Sequence, residues 1–225
     1  MKKVGFIGGY DKSNFIIYLA KIMTLLNNRV LVADTTIVKK MKYIVPTINL
    51  TKTYITTFEE IDFAVGFKDI DELEEYIGEN LESKYDILLI DIDRKDMIEN
   101  YELNLDESHY FVTGFDMYSL KRGMAIFQGL NESINLTKIL FIYEKSKEGE
   151  EYLNYISMGY NLMWNEYTMY CNINYGDNQI MEENQRLEKI QFKRLSSDYK
   201  DFLAYVVHDI MKNENIGKIK KIIRD

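Results

Sequence analysis

Apolar residues in this chain alternate between short continuous runs and longer stretches of helical spacing. The first run, residues 4–7, breaks at Gly8-Gly9, and apolar residues then recur at helical spacing over residues 12–28. Residues 29–34 form a second continuous run. A buried strand, an amphipathic helix and a second buried strand in this order predict a βαβ unit, with a parallel pair of strands and a right-handed crossover.

The same alternation continues to residue 212. Further strands are predicted at residues 53–58, 62–67, 85–91, 109–113, 137–143 and 167–173, and further helices at residues 69–81, 118–130, 145–159 and 197–212. Residues 35–50 are predicted to be irregular and contain the only proline, Pro46. This order predicts a single α/β domain over residues 1–212, a three-layer sandwich in which a mostly parallel sheet carries helices on both faces.

Residues 213–225 form a basic tail with an amphipathic pattern. In a helix, one face holds Ile216, Ile219, Ile222 and Ile223, and the rest holds Lys218, Lys220, Lys221 and Arg224. Two interpretations fit this pattern. Residues 216–225 contact an anionic membrane surface, or the helix packs its isoleucines on the domain. The second is favoured, because about ten residues alone bind a membrane weakly.

Composition argues against several classes of function. The chain carries a net charge of −8, so non-specific binding to nucleic acid is not expected. Cys171 is the only cysteine, which excludes an internal disulfide and disfavours a cysteine-ligated metal site. No run approaches the roughly 18 apolar residues of a membrane span, and the N-terminus leads straight into a strand, without a recognisable signal peptide. A cytoplasmic protein is therefore predicted.

The turn after the first strand carries the candidate chemistry. Backbone N–H groups at a glycine turn and at a helix N-terminus favour an anion. Lys12 and Ser13, in the first helical turn, are what a phosphate and its Mg²⁺ would require. The match to the P-loop motif G-x-x-x-x-G-K-[ST] is partial, because Phe6 and Asp11 stand at its two glycine positions. An ordinary strand-to-helix turn that needs glycine is the alternative.

Two predicted strands end on carboxylates. Asp34 is the last residue of the run at 29–34, and Asp91 is the last residue of the run at 85–91. In open α/β sheets ligands bind beyond the carboxyl ends of the strands, so both carboxylates are expected near the glycine turn. For each of them, a turn residue without a binding role is the alternative.

With these elements in this order, the sequence resembles the ParA/MinD superfamily of P-loop ATPases. The superfamily motif K-G-G-x-G-K-[ST] lies over residues 7–13, and residues 30–36 resemble the second strand, which ends in D-x-D. Residues 85–91 are similar to the Walker B strand, and residues 195–200 to the C-terminal end. The resemblance covers nearly the whole chain as an order of elements, and it implies a P-loop NTPase-like fold.

Three motif positions depart from the superfamily. Ile7 replaces the signature lysine, which in the family reaches across an ATP-sandwich dimer to the partner's phosphates. Thr36 replaces the second carboxylate of D-x-D, which in the family positions the attacking water. Residues 141–144 lack the asparagine that reads adenine. Because a threonine hydroxyl does not ionise near neutral pH, efficient catalysis is not expected and no catalytic residue is assigned.

The resemblance implies ATP or ADP with Mg²⁺ as the cofactor. The implied nucleotide-binding residues are Gly8, Gly9, Asp11, Lys12, Ser13, Asn14 and Asp34, and the implied Mg²⁺ ligands are Ser13 and Asp91. A homodimer is also expected from the resemblance, although Ile7 leaves it without the signature lysine.

Three functions compete on this basis. The favoured one is a degenerate ParA/MinD-like scaffold that positions or regulates a larger assembly, such as pilus, secretion, partition or division machinery, with weak or no ATP hydrolysis. The TadZ/CpaE-like proteins are its nearest functional model. The alternatives are an active ATPase of the partition or division-site type, and an α/β interaction module that binds no nucleotide. The expected partners are proteins of that assembly, in the cytoplasm or at the inner face of the membrane.

Overall fold

The computed structural model describes residues 1–47, 52–172 and 174–224. Its strands are β1 (Lys2–Ile7), β2 (Val30–Asp34), β3 (Tyr54–Phe58), β4 (Ile61–Val65), β5 (Ile87–Ile92), β6 (His109–Thr113), β7 (Ile134–Ile142) and β8 (Leu162–Asn172). Within the described residues they form one sheet in the order β3-β4-β2-β5-β1-β6-β7-β8. The β3–β4 pair is antiparallel and the other pairs are parallel, so the predicted mostly parallel sheet is confirmed.

Helices connect the strands and cover the sheet. They are α1 (Ser13–Leu25), α2 (Met41–Ile44), α3 (Ile70–Ile77), α4 (Leu81–Lys84), α5 (Asp96–Asn100), α6 (Met117–Ala125), α7 (Lys147–Ser157), α8 (Tyr175–Arg186), α9 (Ser197–Ile210) and α10 (Ile216–Arg224). The helix of the predicted βαβ unit is α1, which joins β1 to β2. These strands are parallel, but their prediction as a pair is wrong, because β5 lies between them and bonds to both.

The sheet is buried on both faces, because alternate side chains of its central strands enter two separate hydrophobic cores. In β5, Leu89 packs in the core that contains residues of α1 and α9, whereas Leu88 and Ile90 pack in the core that contains residues of α3, α6 and α7. Burial at successive positions of a strand is typical of a parallel sheet between two helical layers. The predicted three-layer α/β sandwich is confirmed.

The helix predicted at residues 69–81 is wrong as a single element, because the structure has two helices there. α3 ends at Gly78, which adopts a left-handed conformation with φ of +80° and donates its N–H to the Glu74 carbonyl. α4 begins after Asn80, whose side chain caps its first turn. Glycine after a helix and asparagine before one are common boundary residues, which the apolar spacing alone does not reveal.

Other differences concern short or peripheral elements. The apolar pattern does not predict α2, α5 and α8, since each buries only one or two apolar side chains. β8 starts at Leu162 rather than at residue 167, as was predicted for the edge strand. Its predicted end, Ile173, lies outside the described residues, and so do residues 48–50 of the predicted irregular stretch and Asp225 of the tail.

The basic tail folds as α10 and packs against the domain. Ile219 and Ile223 are buried in the same core as the side chains of α1 and α9. The Lys220 ammonium lies 3.1 Å from the Asp201 carboxylate of α9, and the Arg224 guanidinium lies 3.9 Å from it. The apolar face that a membrane would receive is therefore packed on protein, as the second interpretation of the tail expects. None of the described helices is long and apolar enough to span a membrane.

Shortening Ile219 to alanine is expected to lower the free energy of unfolding by about 2–5 kcal/mol, because the side chain is fully buried between helices. Lys221→Ala, at an exposed position of the same helix, is the matched control and is expected to change it by less than about 0.5 kcal/mol. Urea denaturation followed by circular dichroism measures both. Equally small effects would show that α10 contributes little to the fold in solution.

Candidate functional site

The glycine turn between β1 and α1 lies at the carboxyl edge of the sheet. Gly8 has φ of +155° and donates its N–H to the Ile92 carbonyl at 3.0 Å. A Cβ on Gly8 would lie 2.1 Å from the carbonyl oxygen of Val112 in β6, so no side chain fits at this position. Glycine therefore allows β1 to end tightly between β5 and β6. The N-terminus of α1 is thereby placed at the edge where ligands bind in α/β sheets.

Lys12 is the N-cap residue of α1, and its side chain is directed back toward the sheet. The ammonium lies 2.7 Å from Asp91 Oδ1 and donates a hydrogen bond of 2.9 Å to the Gly8 carbonyl. Both side chains of the ion pair are only 2% exposed. The predicted phosphate-binding lysine and the predicted Mg²⁺ ligand are thus partners of each other in this structure.

Burial dominates the acid–base behaviour of Asp91. Its removal from water raises the pKa of the carboxyl, while the Lys12 ammonium acts in the opposite direction and the neighbouring Asp34 raises it further. A buried carboxylate without a cation is costly. A ligand that draws Lys12 away must therefore leave Asp91 with another cation or a proton.

Asp11 binds within the turn itself. One carboxylate oxygen accepts the Ser13 N–H at 3.2 Å, and the other forms an ion pair with Lys40. Burial acts to raise the pKa of Asp11, but the hydrogen bond and charge of Lys40 hold it below its ordinary value. The Asp11 carboxylate thus accepts a hydrogen bond from one of the backbone N–H groups at the start of α1, which could otherwise bind an anion.

Asp34 and Asn14 make contacts that hold the structure together. The Asp34 carboxylate accepts hydrogen bonds from the Thr36 N–H, the Thr36 hydroxyl and the Met41 N–H, at 3.1, 2.6 and 2.9 Å. These bonds close the loop between β2 and α2. The Asn14 side chain accepts a bond of 2.6 Å from the Gln185 amide of α8. A nucleotide-binding role for either residue stays a prediction.

A cavity of about 190 Å³, the inner cavity, brings most of the predicted residues together. Its lining consists of Gly8, Gly9, Asp11, Lys12, Ser13 and Asp91 from the prediction, together with Tyr10, Thr36, Val38, Lys40, Asp93, Tyr118 and Arg122. Asp34 and Asn14 do not belong to this lining. The glycine turn and the end of β5 therefore meet at one place, as expected from the sheet, but the end of β2 does not contribute Asp34 to it.

Two cations of the inner cavity were not predicted. Lys40 reaches it from the loop before α2, and Arg122 reaches it from α6, where the stem of its side chain lies against Gly9. Neither residue belongs to a motif, so only the fold brings them to the cavity. Lys12 and Lys40 each hold a carboxylate, whereas Arg122 makes no ion pair within the part of the chain that the structure describes.

A second cavity of about 290 Å³, the outer cavity, adjoins the first and shares Tyr10, Asp11 and Lys40 with it. On one side Tyr10 stacks on Phe141, with ring centroids 4.9 Å apart and an angle of 19° between the planes. The lining also contains the amide side chains of Asn14, Asn172, Asn174 and Asn178. Both cavities offer charged groups, since Asp177 and Glu182 also line the outer cavity, and the amide groups lie in the outer cavity.

The donor set fits Mg²⁺ only as part of a larger complex. Ser13 and Asp91 both line the inner cavity, and oxygen ligands of this kind suit Mg²⁺. Among the residues described, no group of three or more acidic, histidine or cysteine side chains is arranged to hold a metal ion. Ser13 and Asp91 would therefore hold Mg²⁺ together with the oxygens of a phosphate ligand, as is usual for this ion.

Solved structures with very different sequences share this architecture. A chain of the MinC:MinD cell division complex from Aquifex aeolicus matches with a TM-score of 0.64 at 10% identity, over 96% of this chain and 97% of that one. A putative plasmid partition protein from Borrelia burgdorferi bound to AMPPNP matches with a TM-score of 0.57 at 13% identity, over 94% and 98%. A McdA–ATP complex from Cyanothece matches with 0.51 at 10% identity, over 96% and 98%. The chain has the MinD/ParA fold.

The sequence matches no protein-family model and no curated protein, so the likeness is one of structure. At that level the fold implied by the predicted resemblance to the ParA/MinD superfamily is confirmed. Within the MinD/ParA fold of this chain, Ile7 is fully buried in the core that also contains residues of α3, α6 and α7. Ile7 is therefore a packing residue, and its side chain does not line the inner cavity.

Proposed function

We propose that this chain binds ATP or ADP with Mg²⁺ at the inner and outer cavities. It then serves as a positioning or regulatory scaffold in a larger assembly, with weak or no hydrolysis. The observation that carries the proposal is the inner cavity, where the glycine turn and the start of α1 meet the cations Lys12, Lys40 and Arg122. Backbone N–H groups, a helix dipole and basic side chains together suit phosphate. AMPPNP and ATP in structures of the same fold support the proposal.

The two cavities would hold different parts of the nucleotide. The inner cavity would hold the phosphates, with Lys12 as a cation for their oxygens and with Ser13 and Asp91 as the residues that would hold Mg²⁺, which would neutralise part of the phosphate charge. The outer cavity would hold the base, beside the stacked rings of Tyr10 and Phe141. Amide side chains there donate and accept hydrogen bonds, as the edge of a base requires.

Weak hydrolysis is supported by the surroundings of Thr36. Its hydroxyl donates to Asp34 Oδ1 at 2.6 Å and accepts the Lys39 N–H at 3.0 Å. A neutral hydroxyl held in this way is a poor proton acceptor near neutral pH, so it does not activate water.

Asp93 is the observation that favours the alternative, an active ATPase of the partition or division-site type. Its carboxylate lines the inner cavity, and its position two residues after Asp91 is a spacing that could have marked it in the sequence. Its two oxygens lie 3.1 and 3.2 Å from the Ile37 N–H. Since a carboxylate has capacity for further hydrogen bonds, Asp93 is the candidate general base in that alternative.

Dimerisation and protein partnership belong to the proposal. One structure of this fold is a complex of MinD with MinC. Val38 and Tyr118 line the inner cavity and are 71% and 72% exposed, and Ile37, which donates its N–H to Asp93 of the lining, is 60% exposed. Exposed apolar side chains beside a ligand site are common at interfaces. Sedimentation velocity with and without nucleotide measures whether this rim carries a homodimer.

The TadZ/CpaE-like proteins are the nearest functional model for the proposed scaffold, which would act in the cytoplasm. Membrane contact through residues 216–225 would require α10 to release Ile219 and Ile223 from the core. Co-sedimentation with vesicles of anionic lipid, compared with neutral vesicles, measures whether that release occurs.

Titration of the purified protein with a fluorescent ATP analogue and Mg²⁺ tests the proposal, with phosphate release measured in parallel. Binding that is lost in Lys12→Ala, without released phosphate, supports the nucleotide-binding scaffold. Turnover would replace it by the ATPase, and Asp93→Asn would then be expected to abolish that turnover. No binding at about 1 mM nucleotide would leave the interaction module that binds none.

Arg122→Ala is expected to weaken nucleotide binding by about tenfold to a hundredfold. Arg122 is a cation of the inner cavity without an ion pair among the described residues, and a hydrogen bond to a charged group contributes about 1.5–3 kcal/mol. The matched control is Lys121→Ala, which removes an exposed charge next to it on α6 and is expected to change affinity by less than about threefold. Equal effects of the two variants would point to general electrostatic attraction rather than a contact by Arg122.

A further inference from the structure

The ion pair between Asp11 and Lys40 lies where the two cavities meet, since both residues line both cavities. Asp11 belongs to the glycine turn before α1, whereas Lys40 directly precedes α2. The pair therefore joins two loops across the junction of the cavities, although its residues are 29 positions apart in the chain. A nucleotide with its phosphates in the inner cavity and its base in the outer cavity would pass this junction.

The Asp11 carboxylate takes the place of a bound anion. One of its oxygens accepts the N–H of Ser13, the first residue of α1, at 3.2 Å, and the other pairs with the Lys40 ammonium. The first N–H groups of a helix have no partner within the helix, and together with a nearby ammonium they suit a phosphate group. The chain's own carboxylate therefore uses two donors that would suit a phosphate. The P-loop motif has an uncharged glycine at this position, so the carboxylate is a departure of this chain from the motif.

The two ion pairs that line the inner cavity differ in exposure. The side chains of Lys40 and Asp11 are 43% and 52% exposed, whereas those of Lys12 and Asp91 are 2% exposed. An exposed ion pair contributes little to stability, because water solvates both partners when they separate. Separation of Lys12 from Asp91, in contrast, leaves buried ions without partners. The pair of Asp11 and Lys40 is therefore the one that a ligand separates at small cost.

We propose that Asp11 competes with phosphate for the inner cavity, and that its ion pair with Lys40 is an autoinhibitory contact. The inference rests on the proposed function, because it concerns the same site. While the contact is closed, the Ser13 N–H and the Lys40 ammonium are occupied, and a carboxylate lies where phosphate would bind. Nucleotide binding requires the contact to open, which frees Lys40 to donate to a phosphate oxygen instead. Asp11 thereby sets the nucleotide concentration at which the site fills.

Removal of the competing carboxylate is the first test. Asp11→Ala is expected to bind the fluorescent ATP analogue with Mg²⁺ about tenfold more tightly than the unaltered protein, because the pair with Lys40 and the repulsion of phosphate are both lost. Asp11→Asn keeps an oxygen for the Ser13 N–H but carries no charge, so its affinity is expected to lie between the two. Glu182→Ala removes an exposed carboxylate of the outer cavity and is the matched control, with an expected change below about threefold. Circular dichroism checks that the variants are folded.

Pyrophosphate separates an effect on phosphate from an effect on the base, because it has no base. In the presence of Mg²⁺, it is expected to displace the analogue at about tenfold lower concentration from Asp11→Ala than from the unaltered protein, after correction for the affinity of the analogue. Pyrophosphate that competes no better in the variant would show that Asp11 does not act on phosphate, and would overturn the inference.

A double-mutant cycle tests whether Lys40 is exchanged between carboxylate and phosphate. In the unaltered protein Lys40 gives up one anion for another, so Lys40→Ala is expected to weaken analogue binding by less than about threefold. In the Asp11→Ala background Lys40 starts without that partner, and its removal is expected to weaken binding by about tenfold. Equal losses in the two backgrounds would mean that the two residues act independently, against the inference.

The outcomes distinguish this inference from the proposed function. If the unaltered protein binds the analogue, and Asp11→Ala binds it equally or more weakly or Glu182→Ala gains as much, the inference is overturned and the proposed function stands. Binding by Asp11→Ala alone, at up to about 1 mM analogue, would overturn nucleotide binding by the unaltered chain and support the contact as inhibitory. Binding by neither protein would overturn both.

Discussion

Gly8→Ala is expected to lower the free energy of unfolding by about 3 kcal/mol or more. The added Cβ would lie 2.1 Å from the Val112 carbonyl oxygen, which is part of the neighbouring strand. A strand in the middle of a sheet cannot move aside without losing its own hydrogen bonds, so the clash combines overpacking with backbone strain.

Gly78→Ala is the matched control for that variant. Gly78 also has a positive φ, +80°, but nothing lies within 4 Å of its Cβ position. Only the backbone conformation is penalised there, at about 1 kcal/mol. Chemical denaturation of both variants measures the difference. Equal losses would mean that the contact with β6 does not limit Gly8, and that its φ alone requires glycine.

Lys12→Ala is expected to lower the free energy of unfolding by about 3–5 kcal/mol near neutral pH, besides its effect on nucleotide. It leaves the fully buried Asp91 without its cation. Asp91 can escape part of this cost by binding a proton, since burial raises its pKa. A carboxyl with a raised pKa in the folded chain stabilises the fold at low pH, and that stabilisation is lost as the pH rises through the raised value.

The deficit of Lys12→Ala is therefore expected to be smaller at about pH 5 than at about pH 8. Denaturation of the variant and the unaltered protein at both pH values measures it. Lys40→Ala breaks the more exposed ion pair with Asp11 and is the control, with an expected loss below about 1 kcal/mol at either pH. A deficit independent of pH would contradict a further rise in the Asp91 pKa on removal of Lys12.

The layers of the fold were predictable because both faces of the central strands are buried. Such strands leave continuous apolar runs in the sequence, as at residues 87–92, while the helices between them keep one polar face. The meeting of Gly8, Lys12, Ser13 and Asp91 was predictable for a related reason. In a parallel sheet all strands end at the same edge, so motif residues at strand ends must converge.

The partners of individual side chains could not be predicted from the sequence, because they depend on the spatial arrangement of elements that are far apart in the chain. Nothing in the turn indicated that Lys12 would be held by Asp91, or that Arg122 would reach the cavity from α6. The tail shows the same limit. Isoleucines on one helical face bury equally well in lipid or on protein, and only the packing of Ile219 and Ile223 distinguishes the two.

The buried pair of Lys12 and Asp91 allows the chain to distinguish ligands that carry both charges from ligands that carry only one. An anion alone would pair with Lys12 and leave Asp91 without a partner. A metal ion alone would pair with Asp91 and leave Lys12 without a partner. Binding of either one alone leaves an unpaired buried ion, which costs several kcal/mol. This cost is a large share of the binding free energy of a micromolar complex, about 8 kcal/mol. A ligand that carries both a negative and a positive charge leaves neither side chain unpaired. Under the proposed function, the protein therefore responds to the joint presence of nucleotide and Mg²⁺ and ignores free phosphate or free metal.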